Sequence, residues 1–312
     1  MADLFKNYFN DKIKYSEEEY NEKLNKGEIN SKNYITYWAI KRASSTYITI
    51  DDFNNFLRKF LEYRLKKGKI STDPNFNHHI KGCYNVAYID IDYLYDLKTE
   101  DDTLDSVTDF NSELASIINQ IVIEKYPDCH YISFVPKTIE KYKDNEYRAK
   151  GGIHTFVFLN ECISNPKSKI EIFTTLICND RRFKEIFELH REKLLDSNSN
   201  QIAINSFIDQ QTLSKTSTLI PFAQKDSNSR LYKLYQHNID DVLGNKKFKW
   251  IIPCENPEDG YRSVYRSNTG DSFNFQKYYD ESKNTMGKTI LTLEHIKNIY
   301  ETCINDNSDI YF

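Results

Sequence analysis

Asn85-Val86-Ala87-Tyr88-Ile89-Asp90-Ile91-Asp92 is an apolar run that ends in two carboxylates one residue apart. On a β-strand, side chains i and i+2 share a face. Val86, Tyr88, Asp90 and Asp92 therefore line one face, and Ala87, Ile89 and Ile91 the other. Two carboxylates so close repel each other and raise one another's pKa unless a cation lies between them. A strand ending in such a pair suits Mg²⁺ or Mn²⁺, hard ions that take oxygen ligands.

Two later segments give the pair its context. Lys150-Gly151-Gly152-Ile153-His154-Thr155-Phe156-Val157-Phe158-Leu159 reads as a strand entered through glycines, with a histidine near its start. Glycine lets a phosphate or sugar approach the backbone closely, and Lys150 with His154 suits a triphosphate. Ser206-Phe207-Ile208-Asp209 then supplies a third carboxylate after apolar residues, with Lys215 and Lys225 downstream. Asp209 also reads as a helix N-cap for the polar run that follows it.

In this order the three segments resemble the catalytic signature of the archaeo-eukaryotic primases. The likeness is nearest to the N-terminal primase domain of the primase-helicases of poxviruses and other large nucleocytoplasmic DNA viruses. It covers residues 85 to 235, about half of the chain, and its motifs are short, so order and strand context carry the specificity. The resemblance implies that Asp90, Asp92 and Asp209 bind two Mg²⁺ or Mn²⁺ ions. Lys150, Gly152 and His154 fall on the Lys-x-small-x-His pattern that contacts the phosphates of the incoming nucleotide, and Lys225 falls on a basic position after the third motif. The implied activity is primer synthesis on a single-stranded DNA template from nucleoside triphosphates, beside a helicase domain or subunit. Ile220 departs from the pattern by standing where the family often has an arginine, and Lys215 is a candidate to replace that charge. A charged insertion, Glu140 to Arg148, precedes the glycines and reads as a mobile loop.

Rival readings differ in what they need. A glycosyltransferase with an Asp-x-Asp metal site needs neither the Lys-x-Gly-x-His strand nor Asp209. A non-catalytic nucleic-acid or nucleotide-binding module would tolerate loss of the carboxylates, yet all three are present. A rolling-circle nuclease needs His-x-His, which is absent.

The chain has 312 residues, with 23 Tyr and 19 Phe to build a core. Its net charge of -4 predicts no bulk attraction to nucleic acid, so a template would need a local basic groove. The cysteines Cys83, Cys129, Cys162, Cys178, Cys254 and Cys303 form no Cys-x-x-Cys pair, which argues against a zinc ribbon or disulfide framework and for a reducing, intracellular compartment. No stretch reaches the roughly 18 apolar residues of a membrane span. Gly287-Lys288-Thr289 lacks the rest of a phosphate-binding loop, since Ser282 replaces its first glycine. The chain is therefore read as a stand-alone primase or a piece that ends before a helicase.

The expected fold is α/β (α+β): a palm like an RNA-recognition motif with a mixed sheet, a mostly helical N-terminal segment and a C-terminal extension. The expected boundaries are 1–80, 81–245 and 246–312. Helices are expected from Ile50 onward and over Asp105 to Lys125, because apolar residues recur there at helical spacing, over Ser16 to Lys26, which is rich in Glu and Lys, and, one or two of them, within Ile170 to Leu195. Tyr131 to Val135 and Phe248 to Pro253 read as strands, and residues around Leu293 to Cys303 as a final helix.

Overall fold

The computed structural model describes residues 8, 12–39, 46–66, 78–97, 99, 102–142, 145–214, 217–223 and 230–255. Residues Met1–Gly260 form one compact unit. The second unit, Tyr261–Phe312, lies outside the described residues, as does the final helix expected there.

The strands are β1 (Lys14–Tyr15), β2 (Tyr34–Ala39), β3 (Thr46–Thr49), β4 (His78–Lys81), β5 (Val86–Asp96), β6 (His130–Pro136), β7 (Lys141–Tyr142), β8 (Asn145–Phe158), β9 (Leu194–Leu195), β10 (Ser217–Leu219) and β11 (Tyr232–His237). The helices are α1 (Glu17–Asn25), α2 (Ile50–Lys66), α3 (Leu104–Lys125), α4 (Pro166–Asn179), α5 (Arg181–His190), α6 (Gln210–Ser214) and α7 (Asp240–Leu243). The fold is mixed α+β, as the sequence indicates.

The central sheet runs β11-β6-β8-β5-β9, with β7 paired to β8. All its ladders are antiparallel, where a mixed sheet was expected. The reason is topological. The crossover through α3 carries the chain past one strand position, β8 fills the gap between β5 and β6, and β8 runs against both. This is the split β-α-β arrangement of ferredoxin-like folds. β11 then adds beside β6 instead of β5.

The alternation read from Asn85 to Asp92 decides what each face of this sheet meets. Ala87, Ile89, Ile91, Tyr93 and Tyr95 share one core with Ala149, Ile153 and Val157 of β8 and the apolar stripe Val107, Phe110, Leu114, Ile118, Ile121 and Val122 of α3. Helices α4 and α5 complete that layer through Phe173, Ile177, Phe183 and Phe187. Asp180 separates these two helices by capping α5, accepting from the backbone N–H of Arg182.

The opposite face carries Val86, Tyr88, Ile132, Phe134, Phe156 and Phe158, and it packs on a second core built from α2 (Phe53, Phe56, Leu57, Phe60, Leu61) with Ile35 and Ile48. The latter two come from a five-stranded antiparallel sheet, β1-β3-β2-β4-β10. The described part of the N-terminal segment carries more helix than strand, in α1 and α2, and adds four short strands to them. Its strands are short and mix aromatic, isoleucine and threonine residues, a pattern that favours a pleated, half-buried surface. β10 pairs with β4, so residues after Asp209 are woven into this N-terminal sheet.

Two further expectations change. The insertion Glu140 to Arg148 is not a loose loop: its ends belong to the β7–β8 pair, and Arg148 is the cross-strand partner of Asp96. Phe248 to Pro253 forms no strand, but Trp250 and Ile251 are fully buried in the second core. Asn54 Nδ2 bonds Ile251 O at 2.8 Å, and Asn85 Nδ2 bonds Trp250 O at 2.9 Å. Among the described residues no helix is long and apolar enough to cross a membrane.

Candidate active site

Register builds the site. β5 and β8 pair so that Asp90 faces His154, Asp92 faces Gly152 and Leu94 faces Lys150. All of these project from the second face of the sheet, past the point where Tyr88 and Phe156 close the apolar core. His154 Nε2 lies 3.3 Å from Asp90 Oδ1, and Lys150 Nζ lies 3.9 Å from Asp92 Oδ2. Asp90 is mostly covered, whereas the Asp92 side chain is half exposed. Burial first, and then the charge of Asp90, push the Asp92 carboxyl above its ordinary pKa, while Lys150, His154 and Arg230 pull it back.

The imidazole of His154 is held on both sides. Tyr232 stacks on it with ring centroids 3.8 Å apart, and Tyr88 meets it edge-on at 5.5 Å. Burial, together with the acidic neighbours Asp90 and Asp92, keeps both phenols protonated well above the usual tyrosine range.

The two glycines do more than leave room for a ligand. A Cβ on Gly151 would fall 2.1 Å from the Tyr93 ring, which fills that space from the helical face. Gly152 has φ +152°, and a Cβ there would sit 2.5 Å from Ile91 O and 2.8 Å from Asp92 Oδ1. Its N–H donates to Asn111 Oδ1 at 2.9 Å, the same oxygen that accepts from Tyr93 OH at 2.7 Å. Helix α3 therefore fixes the glycine pair of β8 from behind.

Sequence reasoning passed over Arg230 as a site residue. Its Nη2 donates to Gly151 O at 3.0 Å and Tyr232 OH at 2.8 Å, and reaches Asp92 Oδ1 at 3.4 Å. Its Nη1 donates to Lys150 O. Ile220 is fully buried in the apolar core. Arg230, two residues before β11, sets its cation beside Asp92. Its only sequence signal is the local excess of cations before that strand.

Asp209 joins the site through its main chain: its N–H donates to Asp90 O at 2.9 Å, between apolar anchors Phe207 and Ile208 and the short helix α6. One carboxylate oxygen accepts from Gln211 N–H at 2.8 Å, which is the N-cap contact. Lys215 and Lys225 lie outside the described residues.

No protein-family model matches this chain, and no curated protein matches it either. The site must be read from its own chemistry. Asp90 Oδ1 is buried without a hydrogen-bond partner, and with the half-open Asp92 carboxylate it offers oxygen donors that fit Mg²⁺ or Mn²⁺. Among the described residues no three His, Cys, Asp or Glu side chains already stand together as a metal centre. Asp90 and Asp92 supply carboxylate donors on neighbouring positions of one face, and Asp209 accepts its cap bond through Oδ1.

Proposed function

We propose that this chain is a nucleotidyltransferase of the primase type, which joins nucleotides into primers on a single-stranded DNA template. The observation that carries the reading is the register of β5 against β8, which sets an Asp-x-Asp pair directly across from a Gly-x-His pair with Lys150 beside it. The split β-α-β sheet supports it as a palm for such a site.

Asp90 and Asp92, with the second oxygen of Asp209, would hold the ions. Bound there, Mg²⁺ or Mn²⁺ would activate the attacking 3′-hydroxyl and stabilise the charge developing on the leaving pyrophosphate. Lys150 and His154 are placed to bind and orient the triphosphate, with Lys215 and Lys225 proposed as further contacts. The Tyr232 and Tyr88 rings fix the imidazole plane, so little reorganisation is needed when substrate arrives. The catalytic work of the chain is thus positioning and charge neutralisation, with no covalent intermediate. A helicase domain or subunit is the proposed partner, and a reducing intracellular compartment the proposed location.

The test is primer synthesis on single-stranded DNA with labelled nucleotides and Mn²⁺ or Mg²⁺, comparing wild type with Asp90→Ala/Asp92→Ala. Template-dependent oligomers that vanish in the double variant are expected. A second reading, a non-catalytic nucleotide-binding module, is favoured by one observation: the Arg230 and Lys150 cations lie 3.4 and 3.9 Å from the Asp92 carboxylate. Triphosphate binding unaffected by metal, without product, would select it.

A further inference from the structure

Arg230 is more firmly tied to the backbone than to the carboxylate it faces. The side chain is mostly buried, at 13% exposure. Its guanidinium donates to two carbonyls at the glycine pair, Lys150 O and Gly151 O, and to Tyr232 OH. The guanidinium also lies over the Tyr232 ring, its carbon 5.2 Å from the centroid. The contact with Asp92 Oδ1, at 3.4 Å, lies at the long end for a hydrogen bond, and the Lys150–Asp92 contact, at 3.9 Å, is longer still. Arg230 Nε is buried without a partner. The head group is therefore anchored, its weakest contact is the one with Asp92, and its Nε–H is unspent.

We propose that Arg230, with Lys150, is an exchange switch that couples metal and triphosphate binding: both cations neutralise Asp92 before ligands bind, and on nucleotide entry they pass to the phosphates. This deepens the nucleotidyl-transfer reading and rests on it. The physical argument is one of competition. Two cations beside Asp92 reduce its attraction for a divalent ion. A triphosphate carries more negative charge than Asp92 and accepts charge-assisted hydrogen bonds through many oxygens, so it draws both cations away. Asp92 then regains its full charge where the ion is needed. By linkage the effect is reciprocal: the ion, once bound, releases the cations for phosphate. The anchoring to Lys150 O and Gly151 O keeps the guanidinium in place while its partner changes.

The test separates this role from simple phosphate binding. Mn²⁺ affinity is measured by the loss of the free-ion spin-resonance signal without nucleotide, and affinity for a fluorescent, non-hydrolysable triphosphate is measured in EDTA. Both are done on wild type, Arg230→Gln and Lys150→Gln. The switch requires opposite signs: each variant should bind Mn²⁺ at least about fivefold more tightly and the triphosphate at least about fivefold more weakly, the low end of ordinary couplings. Adding Asp92→Asn to Arg230→Gln should erase the gain in Mn²⁺ affinity. Unchanged Mn²⁺ affinity, or weakening of both ligands, in a folded variant overturns the switch. Lys150→Gln, whose side chain is half exposed, decides the matter if Arg230→Gln does not fold. Wild type that binds neither ligand overturns the nucleotidyl-transfer reading itself. Wild type that makes primers while its variants lose both affinities overturns only the switch.

Discussion

His154 and Asp90 are direct cross-strand partners, and His154 Nε2 lies 3.3 Å from Asp90 Oδ1. Neither side chain is far into solvent, so the pair should be felt in the fold as well as in ligand binding. Residues in contact give non-additive effects on stability. A double-mutant cycle of Asp90→Ala and His154→Ala, read by chemical denaturation, is expected to show an interaction energy of about 0.5–1 kcal/mol. A value near zero would mean that the two side chains meet only through a ligand.

Gly152 is required for a backbone reason. With φ +152° and no room between Ile91 O and the Asp92 carboxylate, any side chain there strains the strand and displaces Asp92. Gly152→Ala is expected to cost about 1–3 kcal/mol of stability and to weaken triphosphate binding by at least tenfold. Calorimetry and nucleotide titration of the same variant check the two effects. Asn111→Ala, which leaves Gly152 N–H and Tyr93 OH without their shared acceptor, should reproduce the stability loss at about 1–3 kcal/mol for each donor left unpaired.

Lys169 gives a pH signature independent of the site. It is 1% exposed, and its ammonium donates to Val86 O at 2.9 Å. Burial lowers its pKa to about 8 from the ordinary 10.5. Between those values the unfolded chain holds more protons than the folded one, so this group adds stability as pH rises from about 8 to 10.5. The buried Cys83 thiol and the partly buried Cys162 thiol, both pushed up to about 12, act in the opposite sense above pH 9. The readout is therefore the difference between Lys169→Met and wild type. Lys169→Met should be the more stable at pH 7, by as much as about 3 kcal/mol, and the gap should close as pH approaches 10.5. A pH-independent gap would mean that Lys169 has the same pKa in the folded and the unfolded chain.

What the sequence disclosed and what it hid divide along sequence distance. Asp90, Asp92 and His154 were legible because period-2 alternation assigns each a face without knowledge of any partner strand. The helices α2 and α3 were legible from their apolar stripes. Arg230 was not, because its role depends on β11 adding beside β6, a pairing that no local pattern encodes. The N-terminal sheet was missed for the same reason: β4 needs β10, which follows more than a hundred residues later. The glycines were assigned to ligand approach, while the Tyr93 ring behind Gly151 and the Ile91 carbonyl against Gly152 supply reasons that only the packed structure reveals.

Asp209 carries two readings that one substitution separates. Its carboxylate caps α6 through Gln211 N–H, and its backbone is tied to Asp90 O. Asparagine caps a helix about as well as aspartate, but it offers a divalent ion one neutral oxygen in place of a carboxylate. Asp209→Asn is therefore expected to stay within about 0.5 kcal/mol of wild type in stability, whereas Asp209→Ala loses about 1 kcal/mol with the cap. If the second oxygen binds an ion, primer synthesis falls by about a hundredfold or more in both variants, a loss of about 2.7 kcal/mol of transition-state stabilisation. If Asp209 serves only as a cap, synthesis by Asp209→Asn matches wild type, and the ions rest on Asp90 and Asp92 alone. Measuring the rate beside the denaturation midpoint keeps the two outcomes apart, because a cap acts on the midpoint and a ligand on the rate.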